Sequence, residues 1–221
     1  MDILPGRTFA PTLYTLGNTM ADRAAGVLGR AAAGPLIVVG NSAGGSCALE
    51  MARLAPDRIE ALVLVGTKAD HRPEPELRES FIASLEADRL TALRRWVDGL
   101  VGPNADHEVL ERVLALAEPQ SLADLLVGVR VFHSRPAAGG VMSGWTKPLV
   151  VVRGEHDQTR VGFSGLEQTI AEQREPADPS YPNQRPEVVA DCGHYVNLER
   201  PEAFNAILAQ VVASCIAGAW V

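Results

Sequence analysis

A serine lies in a five-residue pattern that is typical of a catalytic nucleophile. Residues 40–44 read Gly-Asn-Ser-Ala-Gly; the apolar run Leu36–Val39 precedes them, and the helix-favouring stretch Ala43–Leu54 overlaps their end. A sharp turn between a buried strand and a helix would push the Ser42 hydroxyl out of the chain. Side chains at the two glycines of the pattern would crowd that turn, because only glycine lacks a Cβ atom. The pattern therefore predicts a nucleophile elbow with Ser42 as its nucleophile.

The residue after the serine is a predicted oxyanion donor. Ala43 would open the helix, so its unpaired N–H and the helix dipole would face negative charge that develops on a substrate. A Gly-x-Ser-x-Gly pattern is weak evidence when it stands alone, since glycine and serine are common in loops. The hypothesis for Ser42 therefore depends on an acid and a histidine that follow it in the chain.

A base for Ser42 is predicted at His194. A serine hydroxyl is a poor nucleophile at neutral pH and needs a neighbouring group to take its proton. His194 stands in Asp-Cys-Gly-His-Tyr, on a loop between the last predicted strand and the final helix. Such a loop can place an imidazole above the elbow. The other histidines fit this position less well: His71, His107, His133 and His156.

Asp157 is the predicted acid of the site. It follows the apolar run Leu149–Val152 in the segment Arg-Gly-Glu-His-Asp, and it precedes His194. The order Ser, Asp, His is the one in which a nucleophile elbow receives its partners. The carboxylate would accept the imidazole N–H and stabilise the imidazolium. Asp70, after the second predicted strand, is the alternative acid.

The elements that must position these residues form an α/β pattern. Strands and helices alternate, which predicts a mostly parallel sheet with helices on both faces. The predicted strands are Leu36–Val39, Ile59–Val65, Leu149–Val152 and Pro186–Ala190. Helices are predicted over 15–32, with Thr15 or Asn18 as the N-cap, and over Ala43–Leu54 and Pro201–Ala217.

A helical insertion interrupts this alternation. Residues 67–146 contain apolar residues at helical spacing, prolines between the segments and no convincing strand. We therefore expect a core from 1–66 and 147–221, with 67–146 as an inserted helical cap. Such a cap would shape an apolar pocket.

Composition limits the partners of the protein. The chain has 221 residues, 47% of them hydrophobic, and a net charge of −7, which argues against nucleic-acid binding. Its apolar runs are far shorter than the roughly 20 residues of a membrane-spanning helix, so no membrane association is predicted. The N-terminus lacks the features of a signal peptide, and three cysteines without metal-ligand spacing indicate a reduced, cytoplasmic setting. Those cysteines are Cys47, Cys192 and Cys215, which we interpret as packing residues.

Three blocks of the sequence resemble the α/β-hydrolase superfamily. They are Val-Val-Gly-Asn-Ser42-Ala-Gly-Gly, then Pro148-Leu-Val-Val-Val-Arg-Gly-Glu-His-Asp157, then Asp-Cys-Gly-His194-Tyr-Val-Asn-Leu-Glu-Arg-Pro. The resemblance implies an α/β-hydrolase fold, with Ser42 as nucleophile, Asp157 as acid, His194 as base and the Ala43 N–H as one oxyanion donor. It also implies no metal and no organic cofactor.

Within the superfamily, the chain resembles small carboxylesterases and 3-oxoadipate enol-lactone hydrolases. This resemblance implies cleavage of a small ester, lactone or thioester. Two alternatives stay open. One is a C–C bond hydrolase of the meta-cleavage product type, although that group usually has Trp where this chain has Tyr195. The other is a non-catalytic member that binds a small ligand or a partner chain.

The start of the chain departs from the family pattern. The family forms a second oxyanion donor from a loop after its third strand, and no clear copy of it is present. Either Leu4-Pro-Gly6 is that loop, or the chain begins after the fourth strand of the fold. The first interpretation requires a helix, a strand and a second helix between Gly6 and Leu36, which together need roughly 40 residues. Only 29 residues lie between these two positions. We therefore expect an N-terminally truncated fold, with impaired activity.

Truncation would leave the elbow strand at an open edge of the sheet. An exposed apolar edge strand can pair with another chain. The sequence thus also predicts a possible homo-oligomer through this sheet edge.

Overall fold

The computed structural model describes residues 8–67, 74–159 and 185–217. Within these ranges the strands form a four-stranded parallel sheet in the order β1-β2-β3-β4. The strands are β1 Leu36–Asn41, β2 Ile59–Val65, β3 Leu149–Gly154 and β4 Arg185–Val189. The helices are α1 Met20–Arg30, α2 Ala43–Leu54, α3 Pro75–Ala87, α4 Arg89–Asp98, α5 His107–Ala117, α6 Leu122–His133, α7 Gly139–Ser143, α8 Val196–Glu199 and α9 Pro201–Ala217. The predicted α/β fold is confirmed.

The side chains of β2 alternate between two apolar layers. Leu62 and Leu64 join the layer that contains residues of α1 and α2, and Ala61, Val63 and Val65 join the layer that contains residues of α9. This alternation follows from the two-residue period of a strand, and the burial of both faces explains why β2 is an almost continuous apolar run. The sheet is therefore covered on both faces, as the sequence predicts.

Helices α3 to α6 lie between β2 and β3 in the chain and have an apolar cluster of their own. Leu85, Leu93, Val97, Leu114 and Leu125 are buried in this cluster. Side chains from outside these helices also pack against it, namely Tyr14, Tyr195 and Leu198. The cluster thus reaches the segment that carries His194.

Most predicted element bounds agree closely with the structure, but α1 spans Met20–Arg30 instead of the predicted 15–32, and its predicted cap is wrong. Helix α2, β2 and α9 have the predicted bounds, and β1 and β3 each extend two residues further. The N-cap of α1 is Thr19, whose hydroxyl accepts a hydrogen bond from the Asp22 N–H at 3.0 Å. The Asp22 carboxylate accepts the Thr19 N–H in return at 3.1 Å. This reciprocal pair requires Thr19, so neither Thr15 nor Asn18 caps the helix.

The parallel strands end along one edge, where the candidate residues follow them. Asn41 pairs with Val65, and Gly154 pairs with Val189. The segments after β1, β2, β3 and β4 therefore start side by side. These segments contain Ser42, Asp157 and His194.

Strand β1 is an edge strand of the described sheet, and its Val39 is 43% exposed. Pairing of this edge with a second copy stays a prediction. Leu4-Pro-Gly6 lies outside the described residues. None of the helices in the described ranges combines the length and the apolar character that crossing a bilayer requires.

Candidate active site

Ser42 lies at a strained turn between β1 and α2. Its backbone angles are φ 52° and ψ −115°, a conformation that costs a residue with a side chain about 1–3 kcal/mol. Hydrogen bonds on both sides hold the turn: the Ser42 N–H donates to the Val65 carbonyl at 2.8 Å, and the Ser42 carbonyl accepts from Ser46 at 3.1 Å. The predicted elbow is thus present, with neighbouring β2 supporting the strained residue.

The predicted need for glycine in the pattern is correct at Gly40 and wrong at Gly44. A Cβ atom on Gly40 would lie 2.5 Å from the backbone nitrogen of Gly45, so that position requires glycine. A Cβ atom on Gly44 would meet nothing within 4 Å. The position that is crowded is Gly45, where a Cβ would overlap the buried Thr67 side chain. The sequence pattern does not distinguish Gly44 from Gly45, because the direction in which a Cβ would point in the first turn of α2 depends on the three-dimensional path of the turn.

Asp157 and His194 form a buried pair. The two side chains are 1% and 2% exposed, and 2.9 Å separates Asp157 Oδ2 from His194 Nδ1. A proton on Nδ1 that is donated to the carboxylate leaves Nε2 of the imidazole as a free base. The structure therefore brings the predicted acid and the predicted base together.

Thr159 holds the second oxygen of the carboxylate. The Thr159 N–H and hydroxyl donate to Asp157 Oδ1 at 2.9 and 2.7 Å. Burial raises the pKa of Asp157, but the hydrogen bond and charge of His194 and the two Thr159 donors outweigh burial and leave that pKa below its ordinary value. The carboxylate is therefore ionised at neutral pH. Sequence reasoning missed Thr159, although an Asp followed two residues later by a donor is a common local turn.

Gly66 makes room for this pair. It has a positive φ of 54°, and a Cβ on it would lie 2.6 Å from the His194 ring and 3.1 Å from Asp157 Oδ2. Gly66 directly follows β2, so the imidazole packs against the end of the strand that also holds Ser42. The sequence does not reveal this requirement, because the contact joins residues that are distant in the chain.

The backbone of His194 is also held at both of its polar groups. Its N–H donates to the Leu100 carbonyl at 2.8 Å, and its carbonyl accepts from the Asn41 side-chain amide at 3.0 Å. Asn41 precedes Ser42, so one residue links the elbow to the histidine. Sequence reasoning placed Asn41 in the motif and gave it no role.

Ser42 and His194 flank the same short segment, 65–67. Val65 accepts the Ser42 N–H, and Gly66 contacts the His194 ring. Within the described ranges the Ser42 hydroxyl makes no hydrogen bond, and neither does the Ala43 N–H. A nucleophile that bonds its base only in the substrate complex is common in ligand-free structures. An unpaired N–H at the start of α2 is available to an anion.

The remaining candidate residues are not part of this pair. His107 and His156 are 76% and 42% exposed at the side chain, and His133 is the last residue of α6. Asp70 and His71 lie outside the described residues. Cys192 is fully buried, and burial raises the pKa of its thiol to about 11, so it is a poor nucleophile. Its interpretation as a packing residue fits these observations.

A cleft of about 600 Å³ opens beside Asp157. Its other lining residues are Asp98, Val101, Gly102, Pro103, Glu155, His156 and Gln158. Ser42 is not among the residues that line it, so we do not place the substrate there.

Comparison with known proteins gives one family and a consistent fold. The family described as the alpha/beta hydrolase family matches residues 4–207. A putative 2-succinyl-6-hydroxy-2,4-cyclohexadiene-1-carboxylate synthase from Bacillus subtilis (strain 168) is 23% identical over 189 residues, which are 80% of this chain and 65% of that protein. The chain therefore spans less than two thirds of the length of this curated relative.

Two solved structures have the same fold. A thermophilic esterase from Thermogutta terrifontis is 21% identical with a TM-score of 0.73, over 89% of this chain and 73% of that one. An esterase from Exiguobacterium antarcticum is 18% identical with a TM-score of 0.74, over 95% of this chain and 78% of that one. At these identities the likeness is one of fold.

The first prediction concerns Gly66. In Gly66→Ala the new methyl group and the positive φ would displace the imidazole, so the low-field Nδ1–H proton resonance of the Asp157–His194 hydrogen bond should disappear from the NMR spectrum. Gly29→Ala is the control, because a Cβ there meets nothing within 4 Å. Retention of the resonance in folded Gly66→Ala would contradict the packing described.

The second prediction concerns pH. Because the folded-state pKa of Asp157 is lowered, its stabilising contribution is complete well above the unfolded-state value of about 3.9. The contribution is lost as pH falls through the folded-state pKa. The difference in unfolding free energy between wild type and Asp157→Asn, from urea titrations, should therefore shrink as pH falls below about 4. A difference that does not shrink in this acidic range would show that the carboxylate is not stabilised as a charge.

Proposed function

The chain belongs to the α/β-hydrolase family, and on that premise we propose that it is a serine hydrolase that cleaves an ester, lactone or thioester of a small molecule. One observation carries the proposal: the strained Ser42 turn and the buried Asp157–His194 pair meet at the end of β2. A strained, half-buried serine near an oriented imidazole is the arrangement that nucleophilic catalysis by a hydroxyl requires.

In the proposed reaction, the Ser42 oxygen attacks the acyl carbonyl carbon while its proton passes to Nε2 of His194. The bond from that carbon to the leaving oxygen or sulfur then breaks, and the Nε2 proton passes to the leaving group. The acyl group remains as an ester of Ser42. Water attacks the same carbon, gives a proton to Nε2, and releases the acid as the Ser42 oxygen recovers its proton.

Asp157 supports each proton transfer without gaining a proton itself. Its carboxylate accepts the Nδ1–H bond at 2.9 Å, which orients the ring and stabilises the imidazolium that forms after each attack. Thr159 keeps the carboxylate ionised by donating two hydrogen bonds to its other oxygen. The lowered pKa of Asp157 supports this role.

The Ala43 N–H is the proposed donor to the oxyanion. It stands at the start of α2, next to the nucleophile, where it makes no hydrogen bond to any other described residue. The negatively charged oxygen of the intermediate would accept a hydrogen bond from this N–H. The positive end of the helix dipole would stabilise the same charge.

Residues 67–146 are the proposed cap of the site. Helices α3 to α6 share an apolar cluster with Tyr195, the residue after His194. An apolar cap next to the base would admit the acyl part of a small ester and limit access of water. This arrangement favours a small, largely apolar substrate.

The third prediction tests the nucleophile. Ser42→Ala should reduce hydrolysis of p-nitrophenyl butyrate by about 10⁴-fold or more, because no acyl-enzyme can form. The measurement is the release of p-nitrophenol by purified protein whose fold is checked by circular dichroism.

Ser84→Ala is the matched control, since Ser84 is an exposed serine on α3. It should hydrolyse the ester at the wild-type rate. Equal rates for wild type and Ser42→Ala would exclude Ser42 as the nucleophile. Absence of ester hydrolysis in wild type, with bleaching of a dienol-ketone ring-cleavage product, would favour the C–C hydrolase alternative.

A further inference from the structure

A buried carboxylate lies directly behind the His194 segment. Glu199, the last residue of α8, is 7% exposed, and its carboxylate accepts three backbone N–H groups. Oε2 accepts Gly102 at 2.8 Å and Gly193 at 2.9 Å, and Oε1 accepts Tyr195 at 3.1 Å. A buried carboxylate is expensive unless such donors surround it, so this arrangement is a built feature of the fold.

The three donors lie on the two segments whose relative position matters for the base. Gly193 and Tyr195 flank His194 in sequence, so the carboxylate fixes the chain on both sides of the imidazole. Gly102 belongs to the loop that follows α4, two residues after Leu100, which accepts the His194 N–H. Glu199 therefore joins the proposed cap to the backbone of the base.

Glycines allow these two segments to touch. A Cβ on Gly193 would lie 2.5 Å from the Gly102 nitrogen, and a Cβ on Gly102 would lie 2.8 Å from both the Gly193 nitrogen and Glu199 Oε2. Any larger residue would separate the segments and remove the carboxylate from its donors. The two glycines therefore bring the segments close enough for Glu199 Oε2 to accept both N–H groups.

A simpler explanation is that Glu199 only closes the short helix α8. That role accounts for its bond to the Tyr195 N–H, because Tyr195 is the N-cap of α8. It does not account for the bonds to Gly102 and Gly193, which lie outside the helix and use the other carboxylate oxygen.

We propose that Glu199 is a positioning residue for His194, holding the imidazole against Asp157 and coupling its position to the cap loop at Gly102. The inference rests on the proposed function, in which His194 is the base. Glu199 acts through the backbone and touches neither substrate nor the reacting atoms.

The fourth prediction tests this role with Glu199→Gln. Glutamine keeps the shape of the side chain but has one acceptor oxygen, so at least one of the three N–H groups would face an NH₂ group. We expect kcat for p-nitrophenyl butyrate to fall about 10–100-fold with KM changed less than about twofold, because misplacement of a base by about 1 Å costs that much. Glu202→Gln, at an exposed glutamate in the first turn of α9, should keep wild-type kcat.

Amide hydrogen exchange, followed by NMR, provides a readout independent of activity. In Glu199→Gln, exchange should accelerate at Gly102, Gly193 and Tyr195 and stay unchanged in β2. Unchanged kcat would overturn the proposal, and so would accelerated exchange throughout the sheet, which would indicate a merely structural role. If wild type hydrolyses no ester, the proposed function fails, and local acceleration at the three amides still supports the anchoring of the His194 segment.

Glu199→Asp keeps the proposal testable if the glutamine variant does not fold. Aspartate retains the charge and both oxygens but is one methylene shorter. It should recover part of the activity relative to Glu199→Ala. Equal activity of the aspartate and alanine variants would overturn the proposal.

Discussion

The site depends on one contact, the packing of the buried Asp157–His194 hydrogen bond against the backbone of Gly66. A hydrogen bond between a carboxylate and an imidazole is favourable in a buried place only when both groups are well paired. Thr159 supplies the remaining donors to the carboxylate, and Gly66 leaves space for the ring. Because Gly66 directly follows β2, this contact ties the pair to the strand that also supports the Ser42 turn.

The strained turn at Ser42 persists because the surrounding structure holds it. Strand β2 accepts the Ser42 N–H, and the first turn of α2 bonds its carbonyl. The Asn41 side chain then bonds the His194 carbonyl, so the nucleophile strand, the base and the end of β2 form one connected unit. Leu100 and Glu199 extend that unit to the loop after α4. Local strain at the candidate nucleophile is thus offset by hydrogen bonds from β2 and α2, and Asn41 connects this turn to the His194 segment.

Much of this could be predicted from the sequence, and the failures have a common physical cause. Periodicity and turn residues predict α2 and β2 with the observed bounds, and the order of the motifs predicts that Asp157 meets His194. The need for glycine at 66 arises from a close approach between residues far apart in the chain, which no local pattern encodes. The expectation that Gly44 is crowded is wrong for the same reason: which neighbours a Cβ meets depends on the folded structure, and at Gly44 it would point into open space.

The most direct test of the central claim is covalent labelling of the folded protein with a fluorophosphonate, followed by tandem mass spectrometry. The account predicts a single phosphonate on Ser42, formed with the His194 imidazole as the base that takes the serine proton. It also predicts that labelling is slow in His194→Ala. An adduct on another residue, or labelling of Ser42 at the same rate with and without the imidazole, would contradict the account.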